Sequence, residues 1–399
     1  MKIALAMITK TLDTDEHLCK FIDNAAKYGH NLDCAIVAYS HRLDHSAAEN
    51  ISKKIPFISL NVTAPDFCTE EFRRRDISEK TTKTLLHCPV DTKTQEIVPY
   101  GYNRTVVLLE ALLRGVEVLI FVDSDVFPSV LMNTPNGPQT EEVDFFGAHI
   151  KHLNAGFQVT TCEYSGYNIL PPAVFDGMQN LLGGLNKADM TEYWQSSKDH
   201  NCLITQPAGS LGQRSKCSDF EGVRSELCTK ILGGNVAIKL SAFSQLPPFF
   251  STYYTVGKEL FLGRGEDTIL SAAIAEKGIR CAKTGIYPMH DTYKNYPARP
   301  DLRCDPATQE RFFYACTGWI GRNPFLSHIE SADSQSVRTQ QREMLVQGSR
   351  ALARYTSNPR FLCLEENFDI SWDNLERYIY EYENILEAWE EFRKKGGVF

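Results

Sequence analysis

Between residues 2 and 122, short apolar runs alternate with segments of helical periodicity, and this alternation restricts the fold more than any other feature. Lys2 to Thr9 reads as a first apolar strand. Asp13 and Glu16 open a helix whose apolar positions Leu18, Phe21, Ile22 and Ala25 fall at helical spacing, and Gly29 stops it. Leu32 to Tyr39 and Pro56 to Val62 read as further buried strands. A strongly apolar helix that begins at Asn103 or Thr105 carries Val106 to Leu113, and Val116 to Val122 is the next strand. Strands separated by helices pair in parallel and place helices on both faces of the sheet. The expected fold class is therefore α/β, a Rossmann-like, mostly parallel sheet flanked by helices.

The middle of the chain is less regular. Asp144 to Ile150, Phe157 to Thr161, Ile231 to Ile238 and Ile279 to Ile286 read as strands, and Asp267 to Lys277 as a short helix. Leu181 to Cys228 is rich in Gly, Ser, Asn and Lys and reads as long excursions that shape a binding site, Gln206-Pro207-Ala208-Gly209-Ser210 among them. After Pro300 the pattern turns helical. The clearest helix runs from Trp372 to Phe392, with a stripe of Trp372, Leu375, Ile379, Tyr382, Leu386, Trp389 and Phe392. Its other face is acidic, which favours packing on the main body over binding to anionic lipid. The aromatic tail is also compatible with a homodimer interface. The expected organisation is a nucleotide-binding half (residues 1–130), a second ligand-binding half of the same α/β domain (131–300) and a C-terminal helical extension (301–399).

A net charge of −8 argues against a nucleic-acid partner, because phosphate backbones demand a basic face. The opening MKIALAMITK has no small-residue cleavage site, and no stretch reaches the ~18 apolar residues of a membrane span. A soluble, cytoplasmic protein is expected. None of the 12 cysteines forms a C-x-x-C pair and several sit in apolar runs, so buried free thiols are expected in preference to a structural metal.

The strongest local signal is Val118-Leu119-Ile120-Phe121-Val122-Asp123-Ser124-Asp125, a buried strand ending in two carboxylates one residue apart. Strand periodicity points residues 123 and 125 the same way, at the carboxyl end of the sheet where open α/β folds bind ligands. Paired carboxylates without a neighbouring base suit a hard divalent cation, Mn2+ or Mg2+, whose remaining positions are filled by water and phosphate. A turn with two solvated acids is the alternative. Downstream, Gly263-Arg264-Gly265-Glu266-Asp267-Thr268 places two acids at a helix start, where Asp267 could equally be a cap. Leu232-Gly233-Gly234-Asn235 reads as a tight turn into a strand, and Met289-His290-Asp291 follows a strand.

In this order, these features resemble the glycosyltransferases of the A-type fold over roughly residues 1–295. The resemblance implies transfer of a sugar from a nucleotide-sugar donor, a UDP- or GDP-sugar, to the hydroxyl of a glycan or small-molecule acceptor. It implies Asp125 and His290 as metal ligands, with Asp123 on metal or donor ribose. Asn103 and Arg104, placed before the D-x-D strand, would contact the donor, as would Thr9 and Ser124; Lys294 and Arg299, just beyond His290, could flank the diphosphate as donor-binding residues or be solvated surface side chains, the reading their positions favour. Gly233, Gly234 and Asn235 would border donor sugar and acceptor. Asp267 would be the base of an inverting single displacement, with Glu266 orienting acceptor hydroxyls.

Two rival readings use the same residues. An apolar strand ending Asp-Ser-Asp-Val also resembles the nucleophile motif of haloacid-dehalogenase-type phosphatases, with Asp123 attacking phosphorus. There the motif sits on the first strand, whereas here more than a hundred residues precede it. A sugar nucleotidyltransferase would need a Gly-rich basic loop that Ile8-Thr9-Lys10 does not supply. From another class, the chain could be an inert carbohydrate-binding scaffold.

Overall fold

A computed structural model describes residues 1–63, 68–86, 88, 99–196, 202–207, 228–330 and 333–398. The first part alternates as expected: β1 (Ile3–Leu12), α1 (Glu16–Lys27), β2 (Cys34–Leu43), α2 (His45–Lys54), β3 (Phe57–Asn61), α3 (Thr69–Arg74), α4 (Glu79–Leu86), α5 (Tyr100–Leu113) and β4 (Val118–Val122). Then come β5 (Val126–Thr134), β6 (Gly137–Glu142), α6 (Phe145–Asn154), β7 (Val159–Thr161), β8 (Gly166–Tyr167), α7 (Met178–Gly184), α8 (Thr191–Ser196) and β9 (Leu203–Ile204). The chain continues through β10 (Asn235–Lys239), β11 (Tyr253–Val256), β12 (Glu259–Leu262), α9 (Glu266–Glu276), β13 (Cys281–Lys283) and β14 (Pro288–His290). It ends in α10 (Pro306–Ile329), α11 (Ser334–Thr356), α12 (Leu364–Asp373) and α13 (Leu375–Lys395).

The central sheet has seven strands in the order β13-β7-β10-β4-β1-β2-β3. Pairing is parallel from β4 through β1 and β2 to β3, and between β13 and β7. Only β10 runs antiparallel to its neighbours β4 and β7. This is the mostly parallel α/β sheet that the sequence pattern implies, with one reversed strand beside the D-x-D strand. Strand alternation splits β1 between two cores: Ala4, Ala6 and Ile8 join Phe121 and the α5 residues Val106 to Leu109, whereas Ile3, Leu5 and Met7 join Phe21, Ile120 and Phe146. A third core lies among the C-terminal helices, around Phe312, Leu345, Phe368 and Trp372.

Three expected elements differ. Residues 144–150 are helical, not extended: the Asp144 carboxylate accepts from the Gly147 amide at the N-cap of α6, and Phe145, His149 and His152–Leu153 recur at helical spacing along its buried face. The single helix from Trp372 to Phe392 is two helices, α12 and α13, divided at Asn374, whose side chain bonds back to the Ile370 carbonyl. Trp372 therefore packs in the C-terminal core, while Trp389 and Phe392 pack in the core of the sheet domain and the Trp389 indole donates to the Leu246 carbonyl. The excursion after Leu181 begins inside helix α7. Gln206 within it is a framework residue, bonded to Leu131, Gly285 and Tyr287. Residues 197–201 and 208–227, including Ala208-Gly209-Ser210, lie outside the described residues.

Helices α7 and α11 cross at glycines. A Cβ on Gly348 would stand 2.3 Å from the Leu181 amide nitrogen, and one on Gly184 would stand 2.5 Å from Leu345 Cα. Because the clash is with backbone, the helices themselves must separate. Gly348→Val is expected to destabilise the protein by about 2–3 kcal/mol, read as a lower melting temperature. Unchanged melting would show that the crossing is loose.

The described cysteines are all free thiols. Among the described residues, no helix is long and apolar enough to cross a membrane.

Candidate functional site

At the carboxyl end of β4 the chain leaves the sheet at Asp123 and turns into β5, with the Val126 amide donating to the Asp123 carbonyl. Beside this turn lies a cavity of about 560 Å3. Its lining includes Arg104, Asp123, Gly233, Gly234, Glu266, Asp267 and His290, drawn from α5, the β4 turn, the loop before β10, α9 and β14. Open α/β sheets bind ligands at this end of their strands.

Asp125 and His290 meet through strand pairing. β14 runs antiparallel to β5 with His290 opposite Val126, and the Asp291 amide donates to the Asp125 carbonyl. That register brings His290 Nε2 to 3.1 Å from Asp125 Oδ1. The other Asp125 oxygen faces Arg311 Nη2 of α10 at 3.5 Å. Burial alone would raise the Asp125 pKa, but His290, Arg311 and Lys294 outweigh it and hold the carboxyl well below its ordinary value. The ring of Tyr164 packs 4.6 Å from that of His290.

Asp123 is held differently. Arg104 on α5 is 1% exposed and stands over the Phe121 ring. It donates from Nη2 to Asp123 Oδ1 and from Nε to Glu266 Oε1, each at 2.9 Å. Burial works against the guanidinium charge, yet Asp123 and Glu266 together raise its pKa. Glu266 is buried too: burial and then the neighbouring Asp267 raise its pKa, and Arg104 opposes them. The second Asp123 oxygen lies where a side chain on residue 234 would fall, since a Cβ there would come within 2.3 Å of it. Asp267 lines the cavity, and its carboxylate accepts from the Gly233 amide at 2.9 Å and from the Thr268 amide at 2.7 Å.

The structure thus brings Arg104, Asp123, Gly233, Gly234, Glu266, Asp267 and His290 to one cavity. Other expected residues lie elsewhere. Asn235 is buried, with its side chain turned to His149 and the Cys162 carbonyl, because it opens the central strand β10. Asn103 is buried on α5, and both of its amide atoms lack partners. Thr9 spends its hydroxyl on the Thr11 carbonyl. Ser124, Lys294 and Arg299 are exposed. None of these six lines the cavity.

A cation held jointly by Asp123, Asp125 and His290 is not how these side chains are placed. Among the described residues, no group of three or more His, Cys, Asp or Glu side chains is set to hold a metal ion. Asp123 is committed to Arg104 instead. The Asp125–His290 pair does fit an ion. The observed 3.1 Å is a direct contact between the two side chains, whose carboxylate oxygen and imidazole nitrogen are donor types such an ion accepts.

Sequence reasoning missed several residues. His17 of α1 is half-buried against Phe21 and Phe127, and its Nε2 lies 3.0 Å from the Asp123 carbonyl; desolvation lowers its pKa. Arg311 reaches Asp125 across 186 residues of sequence. Lys187, Trp319 and Arg322 line the cavity from segments read as excursion or helical tail. No local pattern marks any of them, because each is selected by tertiary contact.

No family model and no curated protein matches the sequence. Among solved structures, the chain is similar to glucosyl-3-phosphoglycerate synthase from Mycobacterium tuberculosis in complex with Mn2+, uridine diphosphate and glucosyl-3-phosphoglycerate. The identity is 14% and the TM-score 0.40, covering 83% of this chain and 80% of that one. It is similar to the same synthase with Mn2+, uridine diphosphate and phosphoglyceric acid at 13% identity and TM-score 0.40, over 83% and 79% of the two chains. A mycobacterial protein is similar at 14% identity and TM-score 0.38, over 83% of this chain and 75% of that one.

Proposed function

We propose that this chain is a metal-dependent glycosyltransferase that moves a sugar from a UDP- or GDP-sugar to an acceptor hydroxyl by an inverting single displacement. The observation that carries the reading is the Asp125–His290 pair at the end of β4, beside a cavity that also contains Asp267. Asp125 and His290 would hold a divalent cation, which when bound offsets the charge of the departing diphosphate. Arg104 holds Asp123 and Glu266 in place, so Glu266 acts by positioning that guanidinium. Asp267, fixed by two backbone amides, takes the proton of the attacking hydroxyl. The free cysteines suit a reducing compartment such as the cytoplasm.

The phosphatase alternative needs Asp123 free to attack phosphorus. One of its oxygens is bonded to Arg104 and the other is wedged beside Gly234, which disfavours that role.

The first test is a thermal-shift series with UDP, GDP and their sugars in the presence of Mn2+. A native-state ligand at 100 times its dissociation constant stabilises by about 2.7 kcal/mol, and the matching nucleotide should raise the melting temperature accordingly. No shift with any nucleotide, with or without the ion, sinks the reading. With the donor identified, Asp267→Asn is expected to lower turnover by roughly 100- to 10,000-fold while donor affinity stays within a factor of a few. Near-normal turnover would remove Asp267 from the role of base.

A further inference from the structure

The cavity carries more positive charge than its acids neutralise locally. Lys230 faces Asp189 at 3.4 Å, Lys283 faces Glu163 at 3.9 Å, and Arg104 is matched by Asp123 and Glu266. Three other lining cations, Lys187, Arg264 and Arg322, have no carboxylate within ion-pair distance among the described residues. In a chain of net charge −8, an unmatched cationic cluster inside a cavity calls for a ligand.

The cluster is also built. Arg322 is 3% exposed on α10; its Nη1 donates to Thr268 Oγ1 at 3.2 Å, its Nη2 to Asn323 Oδ1 at 3.0 Å, and its buried Nε has no partner. A buried guanidinium satisfied only by neutral groups is costly unless an anion completes it. Two glycines make room for the arginine stems. A Cβ on Gly265 would come within 2.8 Å of Arg322 Cδ, and one on Gly318 within 2.3 Å of Arg264 Cγ. Lys187 stands over the Trp319 ring, with Nζ 5.4 Å from its centroid. Burial, followed by the Arg322 charge, lowers the Lys187 pKa to about 8, against the attraction of Asp189 and Asp267. Asp267 also acts electrostatically on Arg322, so the cluster and the candidate base share one region of the cavity.

We propose that Lys187, Arg264 and Arg322 form an oxyanion subsite for the acceptor, which is a small hydroxyl compound bearing a phosphate or carboxylate group. This rests on the transferase reading for the identity of the ligand as acceptor, though not for the existence of the subsite. The anion is clamped by the guanidinium groups and the ammonium, and the hydroxyl is thereby presented to Asp267. In the transfer, the hydroxyl proton passes to Asp267 and its oxygen bonds to the anomeric carbon. The bond from that carbon to the diphosphate breaks, its electron pair leaving with the diphosphate.

The test is calorimetric titration of the full chain with inorganic phosphate and with malonate, each in the presence of saturating UDP and Mg2+. Binding of at least one anion alongside UDP is expected, and whichever binds tighter names phosphate or carboxylate as the acceptor group. Lys187→Met and Arg264→Gln, both at positions less buried than Arg322, should each weaken that anion at least tenfold and leave UDP affinity unchanged. No anion binding, anion binding equal in both variants, or displacement of the anion by UDP would overturn the subsite. If instead no nucleotide binds while the anion still binds and still responds to the variants, the transferase reading fails and the subsite stands.

Discussion

Replacing Asp125 with alanine is expected to abolish metal-dependent donor binding and to lower sugar transfer on the order of 1,000-fold. The side chain it removes is one half of the pair that fits a divalent cation, and His290 alone leaves the site a single protein ligand. The variant also removes the carboxylate that both His290 and Arg311 contact. The stabilisation that UDP gives with Mn2+ should fall to the level seen in EDTA, and EDTA should then change nothing further. A variant that keeps its Mn2+-dependent shift in melting temperature, or full activity of the unmodified protein in EDTA, would remove the cation from the proposal.

The second large effect is on the fold beneath the site. Arg104→Met removes the one cation that two acids share, leaving Glu266 buried and Asp123 unheld. Breaking a buried ion pair from one side costs about 3–5 kcal/mol, because the surviving charge stays desolvated. The sign of the pH dependence follows from Glu266. Its pKa in the folded protein is already raised by burial and by Asp267, and removing Arg104 takes away the charge that opposes them. A carboxyl whose folded pKa lies above its unfolded value binds more protons when folded, so stability falls as pH rises through that interval. The deficit of Arg104→Met should therefore be smaller near pH 5 than near pH 8. Glu266→Gln added to Arg104→Met should recover part of it, by removing the charge while keeping the shape. Chemical denaturation of the three proteins at the two pH values measures this directly. An equal deficit at both pH values, with no recovery in the double variant, would show that Arg104 acts by packing on Phe121 and not by charge.

Much of the framework could be read locally. The strands that are apolar on both faces, β1, β2 and β4, stand out because a strand buried between helix layers needs apolar residues at every position. The Asp144 segment misled because Phe145-Phe146-Gly147-Ala148-His149-Ile150 is a short apolar run, and such runs suit either a strand or a helix. The N-cap bond that settles it is formed by a side chain whose alternative, a turn, has the same sequence. Trp372 and Phe392 share a helical period, but period alone does not register the break at Asn374.

What the sequence determined by itself was the alternation of strand and helix and the placing of Asp123 and Asp125 at a strand end, since both depend on neighbours within a few residues. The choice of partner for each carboxylate was decided only in three dimensions. β14 pairing on β5 delivers His290 to Asp125, and α5 packing under the sheet delivers Arg104 to Asp123. Two acids one residue apart look equivalent along the chain. They become different because burial makes an unpaired charge expensive, and the fold brings a different cation to each.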